Sequence, residues 1–541
     1  MSTRPESLKS SAWQELQQQW KTSLPAMLSM LLYKIPWIIS LRFVGNMGSE
    51  DLAAAALATT IANVTGLSLS VGFSSAMTTL AGQARGAQQQ RSMTDHETAL
   101  LAKPHEDDEA EPPLLTTMIY LYRGMFIQLL LVLPVGCYWI YGIQPLLVAL
   151  GQGERLAIMT QEYLRLLAPG LWAYSIQWTL TTWLQAMELA DIPVYASALG
   201  LLLHIPFNLL FIHVFHMGYL GVAMATVAFQ FIQPLGMCLY IFGTRAGCAR
   251  VLVHTHGCSR RTTLPFWREA THALEMAGVC QYLSLALPGI VIISEWWASE
   301  VCIFLSGTLL PFPNLALSGM TIYQSINSFC FMFPVGCSVA GASRISSSLG
   351  AGRASDAALV AKVSVASATL LSTILGAILW WTPNSTFPSF FSPDSSVVAE
   401  ASSLMPLLAI YVVADGIQSS LNGIIKGCGR QCIIMPIVVF AYWIVGVPLA
   451  YYIAFIQHDG TMCDDSYFCG IRGLVTGMTT GTIVHMLLLA MVVICKTNWN
   501  VESKRAKERM ELVPFKSGRQ ISYSTIQDTE EDDNSVKMVI L

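Results

Sequence analysis

Glu295 lies in the run LPGIVIISEWWASEVCIFLSG and Asp415 in PLLAIYVVADGIQSSLNGI, two apolar stretches in which an ionised side chain is out of place. At bilayer depth an isolated charge costs at least ~2–3 kcal/mol on insertion scales. Such groups therefore face a wet cavity or another helix, and they mark ion or substrate pathways. The chemistry open to them is reversible proton binding, because two carboxyl groups close together hold their protons as a pair. Binding or losing that proton then changes which arrangement of the surrounding helices is preferred. Glu300 is a second acid in the first run. Five residues along a helix turn through ~140° net and rise ~7.5 Å, so Glu295 and Glu300 cannot both point at one axis. Glu295 lies nearer the middle of its run and ranks first. Glu300 has a second reading, in which it satisfies a polar group on a neighbouring helix.

Positioning such acids takes long helices. Of the 541 residues, 53% are hydrophobic and 12% charged, against roughly 25% charged in ordinary soluble domains. Lipid is therefore the expected solvent. A spanning helix needs ~20 mainly apolar residues. Twelve segments qualify: 23–44, 53–81, 115–141, 157–185, 192–215, 218–243, 284–308, 315–343, 358–381, 402–425, 433–457 and 473–495. Period-two alternation is lacking, which rules out a transmembrane barrel. The fold class is all-α integral membrane protein. The first apolar run follows a polar start without a cleavage site, and reads as a retained span. A net charge of −4 gives no electrostatic case for nucleic acid. Thirteen scattered cysteines contain no zinc-type pairs, and no metal or other cofactor is implied.

Lys and Arg concentrate in cytoplasmic loops. Arg85, Arg91 and Lys103 follow the second span, and five arginines between 245 and 268 follow the sixth. Arg344 and Arg353 follow the eighth, Lys426 and Arg430 the tenth, and Lys496 to Arg509 the last. The loops 45–51, 213–217, 309–314 and 382–400 hold neither residue type. Both ends of the chain are therefore expected inside. On the outer side, Asn384-Ser385-Thr386 is a glycosylation sequon, and Cys463 and Cys469 flank a loop where they can pair.

Residues 71–87, VGFSSAMTTLAGQARGA, align without gaps on 335–351, VGCSVAGASRISSSLGA, with six of the seventeen positions identical. Each copy ends an even-numbered span and runs into a basic loop. Six spans separate them, which preserves orientation and predicts two parallel, pseudo-symmetric six-helix lobes with a central site between them. The expected divisions are a cytoplasmic tail over 1–22, an N-lobe over 23–243, a cytoplasmic linker over 244–283, a C-lobe over 284–496 and a disordered cytoplasmic tail over 497–541. The polar 88–113 loop is also expected to be disordered.

The strings NVTGLSLSVGFSSAMTTLAGQARGA, EWWASEVCIFLSGTLLPFP, FPVGCSVAGASRISSSLGAG and DGIQSSLNGIIKGCGRQ resemble the multidrug and toxic compound extrusion (MATE) family, in its eukaryotic, plant-like branch. The resemblance runs through both halves, over roughly residues 25–495. It implies twelve helices in two lobes around a V-shaped cavity, and export of organic compounds coupled to an inward flow of protons, sometimes sodium. It also places Glu295 and Asp415 at the proton-linked site of the C-lobe, and matches Glu300 to the motif's second acid. The aspartate that bacterial relatives carry on the first helix is missing. Lys34 is the central ionisable group there, as an ion-pair partner, a substrate-selecting charge, or a lysine reaching along the cavity wall to water.

Trp296, Trp297, Tyr323 and Tyr411 are candidates for stacking against flat organic substrates, although aromatics at this depth also serve as packing or interface belts. Gln324 and Asn327, three apart, share a helix face. Expected partners are a small organic substrate, protons or sodium, and membrane lipid, for a monomer in the plasma membrane or an organelle membrane. Two other readings stay open. A lipid-linked or polysaccharide flippase would share the helices and the repeat, but predicts a basic cavity where Lys34 stands alone. A multi-span receptor fits a duplicated half poorly. No enzyme motif is present, and the lack of a Walker lysine argues against ATP drive.

Overall fold

The computed structural model describes residues 4–45, 47–101, 117–149, 151–256, 266–462, 466 and 468–511. Helices dominate these residues, because in hydrocarbon each backbone polar group must be paired within its own segment. Twelve long helices follow in chain order: α1 (Ser11–Gly45), α2 (Glu50–Arg91), α3 (Thr117–Tyr141), α4 (Glu154–Ala186), α5 (Asp191–Val214), α6 (Tyr219–Gly243), α7 (Met276–Ser306), α8 (Pro313–Gly350), α9 (Ala354–Trp381), α10 (Met405–Gly427), α11 (Gln431–Gln457) and α12 (Ile471–Cys495). A shorter helix, α13 (Trp499–Glu511), follows. Among the described residues, eleven of the twelve are long and apolar enough to span a membrane by themselves. The exception is α4, whose first half carries Glu154, Arg155, Gln161, Glu162 and Arg165. It is packed among α2, α3 and α6, so protein rather than lipid covers much of its surface.

The two lobes, α1–α6 and α7–α12, repeat the same neighbour pattern. In the first, α4 packs on α2, α3 and α6, and α5 on α1 and α6. In the second, α10 packs on α8, α9 and α12, and α11 on α7 and α12. Between lobes α1 meets α8 as α2 meets α7, while α2 and α8 cross at the axis that relates them. The duplicated segments form that crossing. A methyl group added at Gly86 would strike the Ser347 carbonyl, and one at Gly350 would strike the Gln83 carbonyl, which is one contact seen from both copies. Gly72 likewise lies against the backbone of Ile290 on α7, and its counterpart Gly336 against Ser23 and Met27 on α1. Small residues here let helices approach closely where lipid supplies no hydrophobic drive.

The lobes are tied together on the face where α2, α8, α10 and α12 end, which is also the basic face. Thr79 Oγ1 donates to the Lys426 carbonyl (2.6 Å), Gln431 Nε2 to Thr79 Oγ1 (2.9 Å), and Ser343 Oγ to the Gln185 carbonyl (2.8 Å). Arg344 pairs with Glu15 at 2.6 Å and with Glu188 at 3.5 Å, and Glu188 also pairs with Arg85 at 3.0 Å. Toward the opposite face the cross-lobe hydrogen bonds reach as far as Trp297 Nε1 and Ser68 Oγ, 3.1 Å apart.

Two expectations about the tail and loops need correction. The segment 497–541, expected to be disordered, begins with α13, which buries Glu502, Ser503, Ala506 and Met510 along one side. Arg509 donates to the carbonyls of Cys428 (2.8 Å) and Gly429 (3.2 Å) at the end of α10, and to Gln83 Oε1 of α2 (3.4 Å). Burial lowers the Arg509 guanidinium from its ordinary range. The remainder of that tail lies outside the described residues. From Arg4 onward the N-terminal segment is continuous with α1 in a single helix. The 88–113 loop is helical as far as Leu101, and its later part lies outside the described residues. The linker between lobes carries two short helices, Arg245–His256 and Phe266–Ala273. Arg123 Nε anchors the second by donating to the Ala273 carbonyl at 3.0 Å.

Candidate functional site

The polar residues of the C-lobe converge on Glu295. Its helix, α7, is long and continuous, so the acid is held at a fixed depth between α10, α11 and α12. Gln418 Nε2 donates to Glu295 Oε2 at 2.8 Å, and His485 Nδ1 lies 3.6 Å from the same oxygen. Tyr442 OH donates to Gln418 Oε1 (3.2 Å) and lies 3.1 Å from Thr482 Oγ1, which fixes the amide that holds the carboxyl. Tyr442 and Trp443 sit in a π-helical stretch, Val439–Gly446. Single wide turns of this kind often occur at functional sites. Here the two consecutive side chains reach different partners, since Trp443 Nε1 donates to Ser294 Oγ at 3.1 Å.

Asp415 lies three residues before Gln418, on the same side of α10. It is 7% exposed and, among the described residues, has no hydrogen-bond partner. Glu295, Tyr323, Tyr411 and Cys330 are within electrostatic reach of it. The structure thus brings Glu295 and Asp415 into one cluster without a direct hydrogen bond between them. Lys426, near the end of α10 toward the basic face, is within electrostatic reach of Glu295.

The other candidates divide into groups. Tyr323 and Asn327 are buried on α8, and the Tyr323 hydroxyl and Asn327 Oδ1 have no hydrogen-bond partner among the described residues. Tyr411 is half-buried one turn before Asp415. Gln324 Oε1 instead accepts from Ser299 Oγ of α7 at 3.2 Å. Trp297 is engaged with Ser68 across the lobe boundary, whereas Trp296 is 42% exposed and makes no hydrogen bond among the described residues. Glu300 stands apart from the Glu295 cluster. It faces Lys34, which is exposed on α1 and within electrostatic reach across the lobe boundary. Asn384 is exposed in the turn after α9, on the face opposite the basic one. Cys469 is disulfide-bonded, and Cys463, its expected partner, lies outside the described residues.

Sequence reasoning missed His485, Gln418, Tyr442 and Lys426. One signal was available for Gln418, three residues from Asp415 on the same helix face. A histidine inside TTGTIVHMLLLAM was the signal for His485. The contact of either with Glu295 joins residues more than a hundred positions apart.

The MatE family model matches residues 25–98, 116–210 and 289–452. The chain belongs to the MATE family. Protein DETOXIFICATION 16 of Arabidopsis thaliana is 30% identical over 98% of this chain and 96% of its own length. Protein DETOXIFICATION 13 of the same plant is 31% identical over 88% of this chain and 87% of its own. Among solved structures, the eukaryotic MATE transporter AtDTX14 superposes with a TM-score of 0.77 at 26% identity, covering 92% of this chain and all of that one. An outward-facing multidrug resistance MATE transporter shares the fold, with a TM-score of 0.68 at 16% identity, 92% of this chain and 96% of its own. The plant-like resemblance read from the motifs is borne out. The protein is a multi-pass MATE transporter of two six-helix lobes, and a small molecule is its cargo.

Proposed function

We propose that this transporter exports organic compounds in exchange for protons by alternating access, with Glu295 and Asp415 binding the coupling proton. One observation carries the reading: two acids share a single cluster in the C-lobe, one held by Gln418 and the other without a hydrogen-bond partner among the described residues. Proton binding removes charge from the cluster and changes the balance between the two lobe arrangements. A charge moving down 100 mV contributes ~2.3 kcal/mol to the cycle, and a pH difference adds to it.

The basic face is the cytoplasmic one, as Lys and Arg bias requires. On this reading the lobes are joined at the inner side, and the outer side is the one that opens. The acid cluster is then poised to take protons from the outer side, and substrate leaves by the same opening. Lys34 and Glu300 face each other across the substrate path. The cargo is a flat organic compound, a xenobiotic, organic cation or secondary metabolite, held against Tyr411, Tyr323, Trp296 or Trp297, with Gln324 and Asn327 as polar contacts. Substrate-dependent ion flux in proteoliposomes tests the reading, with proton and sodium gradients imposed separately over a panel of cationic and flavonoid-like compounds. Uptake driven by the proton gradient alone is the expected result. Uptake that requires sodium, or that follows neither gradient, contradicts it.

A further inference from the structure

His485 is fully buried on α12, and neither ring nitrogen has a hydrogen-bond partner among the described residues. A neutral imidazole carries one N–H and one lone pair, and leaving both unsatisfied inside a protein costs ~1–3 kcal/mol for each group. Packing accounts for one part of its surroundings: the ring meets Tyr442 edge-on, with centroids 5.5 Å apart and planes at 85°. It does not account for Nδ1, which points at Glu295 Oε2 from 3.6 Å while Gln418 occupies another approach to that oxygen. The charged and titratable groups facing this imidazole are Glu295 from α7, Lys426 from α10 and Tyr442 from α11, while Asp415 and Tyr411 of α10 face Glu295.

We infer that His485 is a second proton-carrying residue of this transporter, its Nδ1 taking the proton that Glu295 holds on Oε2. In the starting state Glu295 is a carboxylic acid and His485 is neutral, with its hydrogen on Nε2. A small approach of α12 to α7 closes the 3.6 Å gap to hydrogen-bond distance. The Oε2–H bond then breaks and the Nδ1–H bond forms, which leaves a carboxylate beside an imidazolium. No net charge is created, so the step adds no uncompensated charge to the lobe interior. It moves the proton from the acid cluster to a ring about ten residues above the basic end of α12, ~15 Å along the helix. Lys426 lies further toward that face. The proton thereby passes from α7 to α12 while Glu295 becomes free to bind another. The inference rests on Glu295 being a proton-binding group, as proposed above.

The test is infrared difference spectroscopy on the purified full chain in lipid, recorded across a pH titration for the wild type, Glu295→Gln, His485→Gln and His485→Asn. Glutamine and asparagine keep polar side chains of related size, and matching thermal unfolding of the variants shows that the fold is intact. A protonated-carboxyl band is expected that Glu295→Gln removes, together with imidazolium bands that both His485 variants remove. Coupling appears as a shift of the Glu295 carboxyl midpoint by at least about one pH unit, tenfold in proton affinity, in the His485 variants. If the Glu295 band titrates while no imidazolium band appears and its midpoint is unmoved by either His485 variant, His485 carries no proton. If no titrating band belongs to Glu295, the proposed coupling site fails as well, so the two failures are distinct.

Discussion

Replacing Gly86 with alanine adds one methyl group at the crossing of α2 and α8. The new Cβ would overlap the Ser347 carbonyl oxygen and lie 2.7 Å from its carbon and 2.8 Å from the Ala351 nitrogen. All three are backbone atoms of another helix, so no side chain can swing aside and the helices must part. Overpacking of this kind costs about 1–3 kcal/mol. The cost falls only on the arrangement closed at the basic face, so the ratio of closed to open states drops by roughly 5- to 150-fold. Gly350→Ala makes the mirror contact with Gln83. Because both residues guard one seam, the double variant costs less than the sum of the two single ones. Gly236→Ala is the control, since nothing lies within 4 Å of its added Cβ. Spin labels at the exposed positions 245, in the linker just after α6, and 355, on α9, both at the basic face, report the opening in a cysteine-depleted background. Longer distances are expected in Gly86→Ala and Gly350→Ala, but not in the control. An unchanged distance distribution together with an unchanged Tm in both variants would refute the role of the glycine seam.

Other outcomes follow from the same geometry. Arg344→Ala removes the partly buried pairing with Glu15 and Glu188, and thermal unfolding should show a loss of about 1–3 kcal/mol, below the cost of breaking a fully buried pair. Arg509→Ala removes the charged donors to the Cys428 and Gly429 carbonyls, each bond worth about 1.5–3 kcal/mol. Limited proteolysis should then cut within 499–511 faster than in the wild type, and an equal cutting rate would show that α13 is held by other contacts. Asn384→Gln should abolish an endoglycosidase-sensitive mass shift in a eukaryotic host. A shift that survives the substitution removes Asn384 as the modified position.

Much of the architecture was legible because lipid imposes a simple rule on sequence. Helices must be long and apolar, and even α4, with its charged first half, kept a recognisable run. The duplicated segment was legible for a reason that the fold now explains. Gly72 and Gly336, and Gly86 and Gly350, survive in both copies at points where helix backbones touch between lobes. Glu295 and Asp415 stood out because charge is rare at that depth. Their surroundings did not, since helix order along the chain says little about which faces meet. His485 and Gln418 reach Glu295 from different helices, and Lys426 looks like an ordinary loop cation until α10 is placed beside α7. The tail helix was misread from its charge. Its run of charged residues read as a disordered tail, yet Glu502, Ser503, Ala506 and Met510 form a buried stripe at helical spacing.

The most direct test of acid-driven coupling is proton flux in proteoliposomes containing either wild-type protein or Glu295→Gln, measured with a transported substrate under an imposed proton gradient. Asp415→Asn is measured in parallel, and substrate binding is checked separately for each variant. The account predicts that both substitutions abolish proton-driven transport while leaving substrate bound. Proton-coupled transport that persists at the wild-type rate in Glu295→Gln would contradict it.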